Sequence, residues 1–178
     1  MGMADRLFST GARPSHRVTA AFLVAAMAVT IGTALGFEHL GGYIPCKLCL
    51  EQRLPYYVGI PLTAIAWLSA ALRWPQWITR LLLLGAGLLM AYGFTLGVYH
   101  AGVEWGWWAG PTDCGMVEAP AGSGAGVLDQ LDAVIPPSCD RATLRVLGLS
   151  FAGWNALVSL VLALVALRQA LTPDRLEG

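Results

Sequence analysis

The sequence predicts an all-α membrane protein, a four-transmembrane-helix bundle with a short amphipathic helix in its second outer loop. Three observations predict it. Of the 178 residues, 56% are hydrophobic and only 12% charged, against about 25% charged in a soluble domain. The charge is absent from long runs rather than thinned evenly along the chain. Four such runs each approach ~20 residues, the length that crosses a ~30 Å hydrocarbon core. The formal net charge is zero, so no nucleic-acid footprint is expected.

Residues 1–17 are polar and basic, with Arg6, Arg13, His16 and Arg17. The first span is expected at 18–37. Ala34-Leu35-Gly36 resembles a small-x-small cleavage site, but the run exceeds the 7–15 residues of a signal-peptide core, which favours an uncleaved span. A short Gly-rich loop, 38–49, leads to the second span at 50–72. Glu51, Gln52 and Arg53 put its first turn at the interface, and Pro55 and Pro61 are tolerable in a buried membrane helix. Arg73-Trp74-Pro75-Gln76-Trp77 reads as a tight turn with interfacial aromatics. The third span is expected at 78–100 and the fourth at 146–167, and the whole chain, 1–178, reads as one domain without internal repeats.

Orientation follows from the basic residues. Arg6, Arg13, Arg17, Arg73, Arg80, Arg168 and Arg175 flank one side, and Lys47, Arg53, Arg141 and Arg145 the other. This bias puts both termini in the cytoplasm. The loops 38–49 and 101–145, which hold all four cysteines, then face an oxidising compartment, the periplasm of a bacterial cell.

The loop 101–145 has its own grammar. Trp105, Trp107 and Trp108 follow the third span as interfacial aromatics do, and Pro111 to Cys114 reads as a turn. Gly122 to Gly126 is small and flexible in composition. Val127, Leu128, Leu131, Val134 and Ile135 recur at helical spacing opposite Asp129, Gln130 and Asp132. This is the amphipathic helix expected to lie on the membrane surface, ended by Pro136-Pro137 just before Cys139.

Chemistry concentrates at Pro45-Cys46-Lys47-Leu48-Cys49-Leu50-Glu51-Gln52-Arg53. In a helix, positions 46, 49 and 53 share one face. Two sulfurs and a fixed positive charge then stand in one column at a helix N-terminus, an arrangement that favours thiolate over thiol. That is the signature of a redox pair. The competing readings are a purely structural disulfide and half of a zinc site, for which Cys114 and Cys139 would be the other ligands. Those two are not spaced as a second Cys-x-x-Cys, so no metal is expected. Cys114 and Cys139 themselves read either as a staple closing the loop or as exchangeable sulfurs on a glycine- and proline-rich segment. A charge one turn inside a span, as at Arg53, is a functional-site candidate, with interfacial snorkelling as the alternative. His100 reads equally as a site residue or a satisfied interfacial histidine. His39, Glu38, Glu51 and Glu104 read as ordinary interfacial or solvated groups.

Four spans, a Pro-Cys-x-x-Cys with Arg four residues on, two spaced cysteines in the second outer loop, and Tyr99-His100-Ala101-Gly102-Val103-Glu104-Trp105 together resemble the DsbB family, bacterial inner-membrane thiol–quinone oxidoreductases that reoxidise the periplasmic dithiol oxidase DsbA. The resemblance covers about 18–167. It implies disulfides Cys46–Cys49 and Cys114–Cys139, with the first pair coupled to a quinone, ubiquinone or menaquinone. Cys49 would be the thiolate that contacts the quinone, with Arg53 supporting both and His100 nearby. Cys114 would be attacked by the thiolate of a DsbA-like, thioredoxin-fold partner, and Cys139 would be its intramolecular mate. Lys47 departs from the apolar pair typical between the first two cysteines. DsbA is a strong oxidant, at about −120 mV, so its reoxidation needs an acceptor of still higher potential, and no flavin or nicotinamide fingerprint is present. The alternatives are a DsbI-like or vitamin-K-epoxide-reductase-like enzyme with a dedicated partner, and a non-enzymatic four-span scaffold of claudin type. The last carries its Trp and Cys pair in the first outer loop, not the second.

The orientation is testable by labelling. In intact spheroplasts an impermeant maleimide is expected to label reduced Cys46 and Cys49, whereas an Arg13→Cys substitution reacts only after permeabilisation. The reverse pattern would overturn the assigned topology.

Overall fold

The protein's computed structural model describes residues 14–111, 139–142 and 144–172. In order these form α1 (Pro14–His39), α2 (Lys47–Glu51), α3 (Leu54–Ala71), α4 (Gln76–Glu104), the strands β1 (Arg145–Val146) and β2 (Leu149–Ser150), and α5 (Phe151–Leu171). Among the described residues four segments are long and apolar enough to cross a membrane: Ser15–His39, Lys47–Ala71, Gln76–Glu104 and Phe151–Leu171. The chain is thus a helical, multi-pass membrane protein, with no substantial sheet among the described residues. The amphipathic helix expected at 127–135 lies outside the described residues.

The element boundaries have local causes. Pro55 has no N–H to donate to the Glu51 carbonyl, so α2 ends at Glu51 and α3 restarts with Pro55 in its first turn. The second span is therefore two helices joined at Gln52 and Arg53 rather than one unbroken rod. The fourth helix starts at Phe151, not at Val146 as hydropathy suggests. Leu147 (φ 53°) and Gly148 (φ 84°) both occupy the left-handed region, which makes a two-residue hairpin turn between β1 and β2. Ser150 then caps α5, its Oγ accepting from the Gly153 N–H at 3.2 Å.

The bundle closes by packing α4 against both α3 and α5, and α1 chiefly against α3, with α1 and α5 touching more sparsely. Ala20, Leu23, Met27 and Ile31 form the inward stripe of α1 and meet Ala66, Leu83, Met90, Leu162 and Ala166 in one core. Outward residues such as Val18, Val29, Leu81, Leu88 and Leu164 are apolar and exposed, as a lipid-facing surface requires. Association in lipid depends on close packing rather than on hydrophobic burial. Here Gly93-x-x-x-Gly97 supplies it: a Cβ at Gly97 would stand 2.9 Å from the backbone of Ala156. At the end of the bundle away from Cys46, Arg80 donates to the carbonyls of Ala170 (2.9 Å) and Thr172 (3.1 Å). It thereby satisfies the open C-terminus of α5.

Replacing Gly97 by Val must push α4 from α5, an overpacking worth about 1–3 kcal/mol. Gly32→Ala, which meets nothing within 4 Å, is expected to be neutral or mildly stabilising. Thermal unfolding in detergent compares the two, and equal melting temperatures would contradict the close-packing account.

Candidate functional site

At the head of the bundle, Pro45 leads into Cys46, which is the N-cap of α2 (φ −76°, ψ 170°). Its sulfur accepts from the Cys49 N–H at 3.3 Å, doing the work usually done by Ser, Thr or Asp at a cap. The spacing turns both sulfurs to one side, 2.7 Å apart. Both are free thiols, so the expected Cys46–Cys49 disulfide is not formed in this structure. The arrangement is that of a dithiol one short movement from a bond of ~2.05 Å. The Cys46 S–H donates to Cys49, and that bond, followed by burial, holds the Cys46 thiol well above the usual range.

His100, on α4 and 2% exposed, places Nε2 at 3.7 Å from the Cys46 sulfur. Its Nδ1 accepts from Gln52 Nε2 at 2.6 Å. The Gln52 amide also donates to the Leu48 carbonyl (3.3 Å), while its Oε1 accepts from Asn155 Nδ2 (2.6 Å). Asn155 Oδ1 in turn accepts from Tyr56 OH at 2.7 Å, and Tyr56 OH lies 2.9 Å from Ser159 Oγ. A continuous polar chain therefore runs from α5 through Tyr56 of α3, Gln52 between α2 and α3, and His100 of α4 to the Cys46 sulfur.

Glu104 departs from the sequence expectation of a solvated charge. Its side chain is only 5% exposed and stands one turn past His100, with Oε1 at 3.8 Å from Nε2. Its Oε2 is buried without a hydrogen-bond partner. Glu38 is likewise not a free loop charge, because it forms an ion pair with Arg53. Cys139 is buried at 3% exposure, packed with Cys46, Leu48 and Val103, with Cys49 alongside. The ligand atoms of Cys46, His100 and Cys139 all lie within 4.8 Å of one another. Cys139 is disulfide-bonded and so has no thiolate to give a metal. Cys114 lies outside the described residues.

Cys49 and Arg53 also line a cavity of ≈ 350 Å³ between α1 and α5. Its walls are apolar, from Val29, Ile31, Ala34, Phe37, Ile44, Phe151 and Val158, and the polar groups Glu38, Cys49, Gln52, Arg53 and Asn155 converge on it. Thr30 and Thr33 reach the wall, but each spends its hydroxyl on its own helix, 2.8 Å from the carbonyls of Ala26 and Val29. Phe37 and Phe151 rings stand 4.9 Å apart beside Tyr43. Mostly apolar walls with a few convergent polar groups are the make-up of a small-molecule site.

The structure thus brings Cys46, Cys49, Cys139, Arg53 and His100 together. Sequence reasoning missed Gln52, Asn155, Tyr56 and Ser159. The available signal was polar residues within apolar runs, with Asn155 and Ser159 one turn apart. The signal for Glu104 was its position four residues after His100.

The model of the family described as disulfide bond formation protein DsbB matches residues 16–169. The uncharacterised protein RP370 of Rickettsia prowazekii (strain Madrid E) is 26% identical over 149 residues, covering 83% of each chain. No solved structure matches. A Cys-x-x-Cys cap, a buried third sulfur and four spans, together with a match across nearly all the described helices, lead to one conclusion: the chain belongs to the DsbB family of membrane oxidoreductases that form disulfide bonds.

Proposed function

We propose that the protein is a thiol–quinone oxidoreductase of the bacterial inner membrane. It reoxidises a periplasmic DsbA-like, thioredoxin-fold dithiol oxidase and passes the electrons to ubiquinone or menaquinone. The observation that carries this reading is the position of Cys46. Its sulfur lies beside the disulfide sulfur of Cys139 on one side, and bonds on the other to Cys49, which lines the apolar cavity.

The exchange runs as follows. A partner thiolate attacks Cys114 of the Cys114–Cys139 disulfide, forming a mixed disulfide and releasing the Cys139 thiolate. That pairing is supported by Cys139 being a half-cystine while Cys46 and Cys49 are free. Burial shields Cys139 from a soluble partner and points it at Cys46. Cys139 attacks Cys46 of the oxidised Cys46–Cys49 pair and expels the Cys49 thiolate. The partner's second thiol resolves the mixed disulfide and leaves oxidised, and Cys114 then reclaims Cys139, expelling the Cys46 thiolate. Two electrons now reside in the Cys46/Cys49 dithiol.

A bound quinone would supply a two-electron, two-proton acceptor. The cavity fits its chemistry: apolar walls for ring and tail, and Arg53 and Asn155 for its oxygens. Arg53 is held by Glu38 so that its charge stays beside Cys49. Membrane placement has a physical reason, since the acceptor dissolves in lipid and the partner in water.

Cys46→Ala or Cys49→Ala is expected to abolish quinone-dependent oxidation of a reduced thioredoxin-fold partner, and normal turnover in either would reject the reading. Arg53→Met removes a charge-assisted contact, so kcat/KM for quinone should fall roughly ten- to a hundredfold, with Glu38→Gln milder. In a Cys49→Ser, Cys114→Ser double variant, air oxidation is expected to yield a Cys46–Cys139 cross-link, read by mass spectrometry of non-reduced peptides. Its absence in folded protein would contradict the exchange route.

A further inference from the structure

The thiol-exchange reading requires Cys46 to leave as a thiolate each time Cys114 reclaims Cys139, and something must receive that charge in a buried site. We propose that Gln52 and Asn155 are positioning residues that fix the His100 tautomer, so that its Nε2–H rather than its lone pair faces the Cys46 sulfur. This inference rests on that reading and adds to it two residues and a direction.

The direction follows from one backbone atom. A carbonyl oxygen only accepts, so the Gln52 atom 3.3 Å from the Leu48 carbonyl must be its NH₂. The alternative amide orientation would set two acceptors against each other there. With the NH₂ so anchored, the same group is the donor to His100 Nδ1 at 2.6 Å. Gln52 Oε1 is left to accept from Asn155 Nδ2, and Asn155 Oδ1 to accept from Tyr56 OH. Tyr56 has then spent its proton, so the Ser159 hydroxyl donates to it. Every link has one consistent polarity, from Ser159 to the imidazole.

A neutral imidazole carries one N–H. Nδ1 is occupied as an acceptor, so the proton is on Nε2. That N–H faces Cys46 Sγ at 3.7 Å and Glu104 Oε1 at 3.8 Å. The Cys46 sulfur then has two donors, His100 Nε2–H and the Cys49 N–H. His100 on this account is not the base that deprotonates Cys46; it stabilises the charge when the Cys46–Cys139 bond opens. No net electron or proton is transferred through the chain in that step. The bonding pair of the Cys46–Cys139 disulfide stays on Cys46 as Cys114 bonds to Cys139. The charged or titratable groups facing this pair are Glu104 from α4, with Arg145 of β1 acting on it, Cys49 and Arg53 from the second span, and Cys139.

The test uses full-length protein in lipid nanodiscs with ¹⁵N-labelled histidine, the His100 signals being assigned by their loss in His100→Asn. Wild type is expected to show a neutral His100 protonated at Nε2. Gln52→Glu, which sets acceptors where the donor stood, is expected to put a proton on Nδ1. The second readout is the pH profile of Cys46 alkylation in a Cys49→Ser background. Gln52→Leu is expected to move it to higher pH, slowing the reaction at neutral pH roughly tenfold or more, the scale of one hydrogen bond to a charged group. Asn155→Leu, which leaves the Leu48 anchor in place, should give a smaller shift in the same direction. A wild-type His100 protonated at Nδ1 would overturn the proposal, as would an alkylation profile unmoved by Gln52→Leu in folded protein. The tautomer is read without quinone or partner, so failure of the oxidase reading would appear separately, as absent turnover with the Nε2–H signature intact.

Discussion

The head of this protein depends on a five-residue helix, Lys47–Glu51, whose N-cap is a sulfur. Capping fixes the Cys46 side chain against the Cys49 N–H, and the helical turn brings the Cys49 sulfur back to within 2.7 Å of it. Pro55 ends that helix by withholding a donor from Glu51, and the break lets Arg53 reach Glu38 while lining the cavity beside Cys49. As built, Cys46 faces the buried sulfur of Cys139, and Cys49 faces the apolar cavity.

The bundle below serves that arrangement. In lipid, helices gain little from burying apolar surface against one another, and contact between small residues has to do more of the work. Gly93 and Gly97 let α4 approach α5 closely enough for Asn155 and Ser159 to reach Tyr56 on α3, and for Asn155 to reach Gln52. The sparse contact between α1 and α5 leaves the space that the cavity occupies. Close packing on one side and an open seam on the other are two results of one distribution of small and large side chains.

The four spans were legible because hydropathy at this length has few other meanings, and the pattern at Cys46, Cys49 and Arg53 was legible because the spacing itself carries the chemistry. The start of α5 was not. Val146 to Ser150 is mostly apolar, and hydropathy is blind to the positive φ at Leu147 and Gly148 that makes a hairpin there. Glu38 and Glu104 looked like solvated charges because they sit at span edges, and only folding shows that Arg53 and His100 wait for them. The polar chain was the least visible part. Tyr56 meets Asn155 and Ser159 across about a hundred residues of sequence, and isolated polar residues in apolar runs have no periodicity to announce a partner. The sequence reading of Cys114 and of the amphipathic segment at 127–135 falls outside the described residues.

The central claim is that electrons gathered on Cys46 and Cys49 leave through the apolar cavity to a lipid-soluble acceptor. The most direct measurement is the stoichiometry of purified protein in liposomes containing ubiquinone, given a reduced thioredoxin-fold dithiol protein, with quinol followed by its ultraviolet absorbance and partner disulfide by thiol titration. The account predicts one quinol formed for each partner disulfide. Disulfide formation without quinol, or no reaction with either ubiquinone or menaquinone, would contradict it.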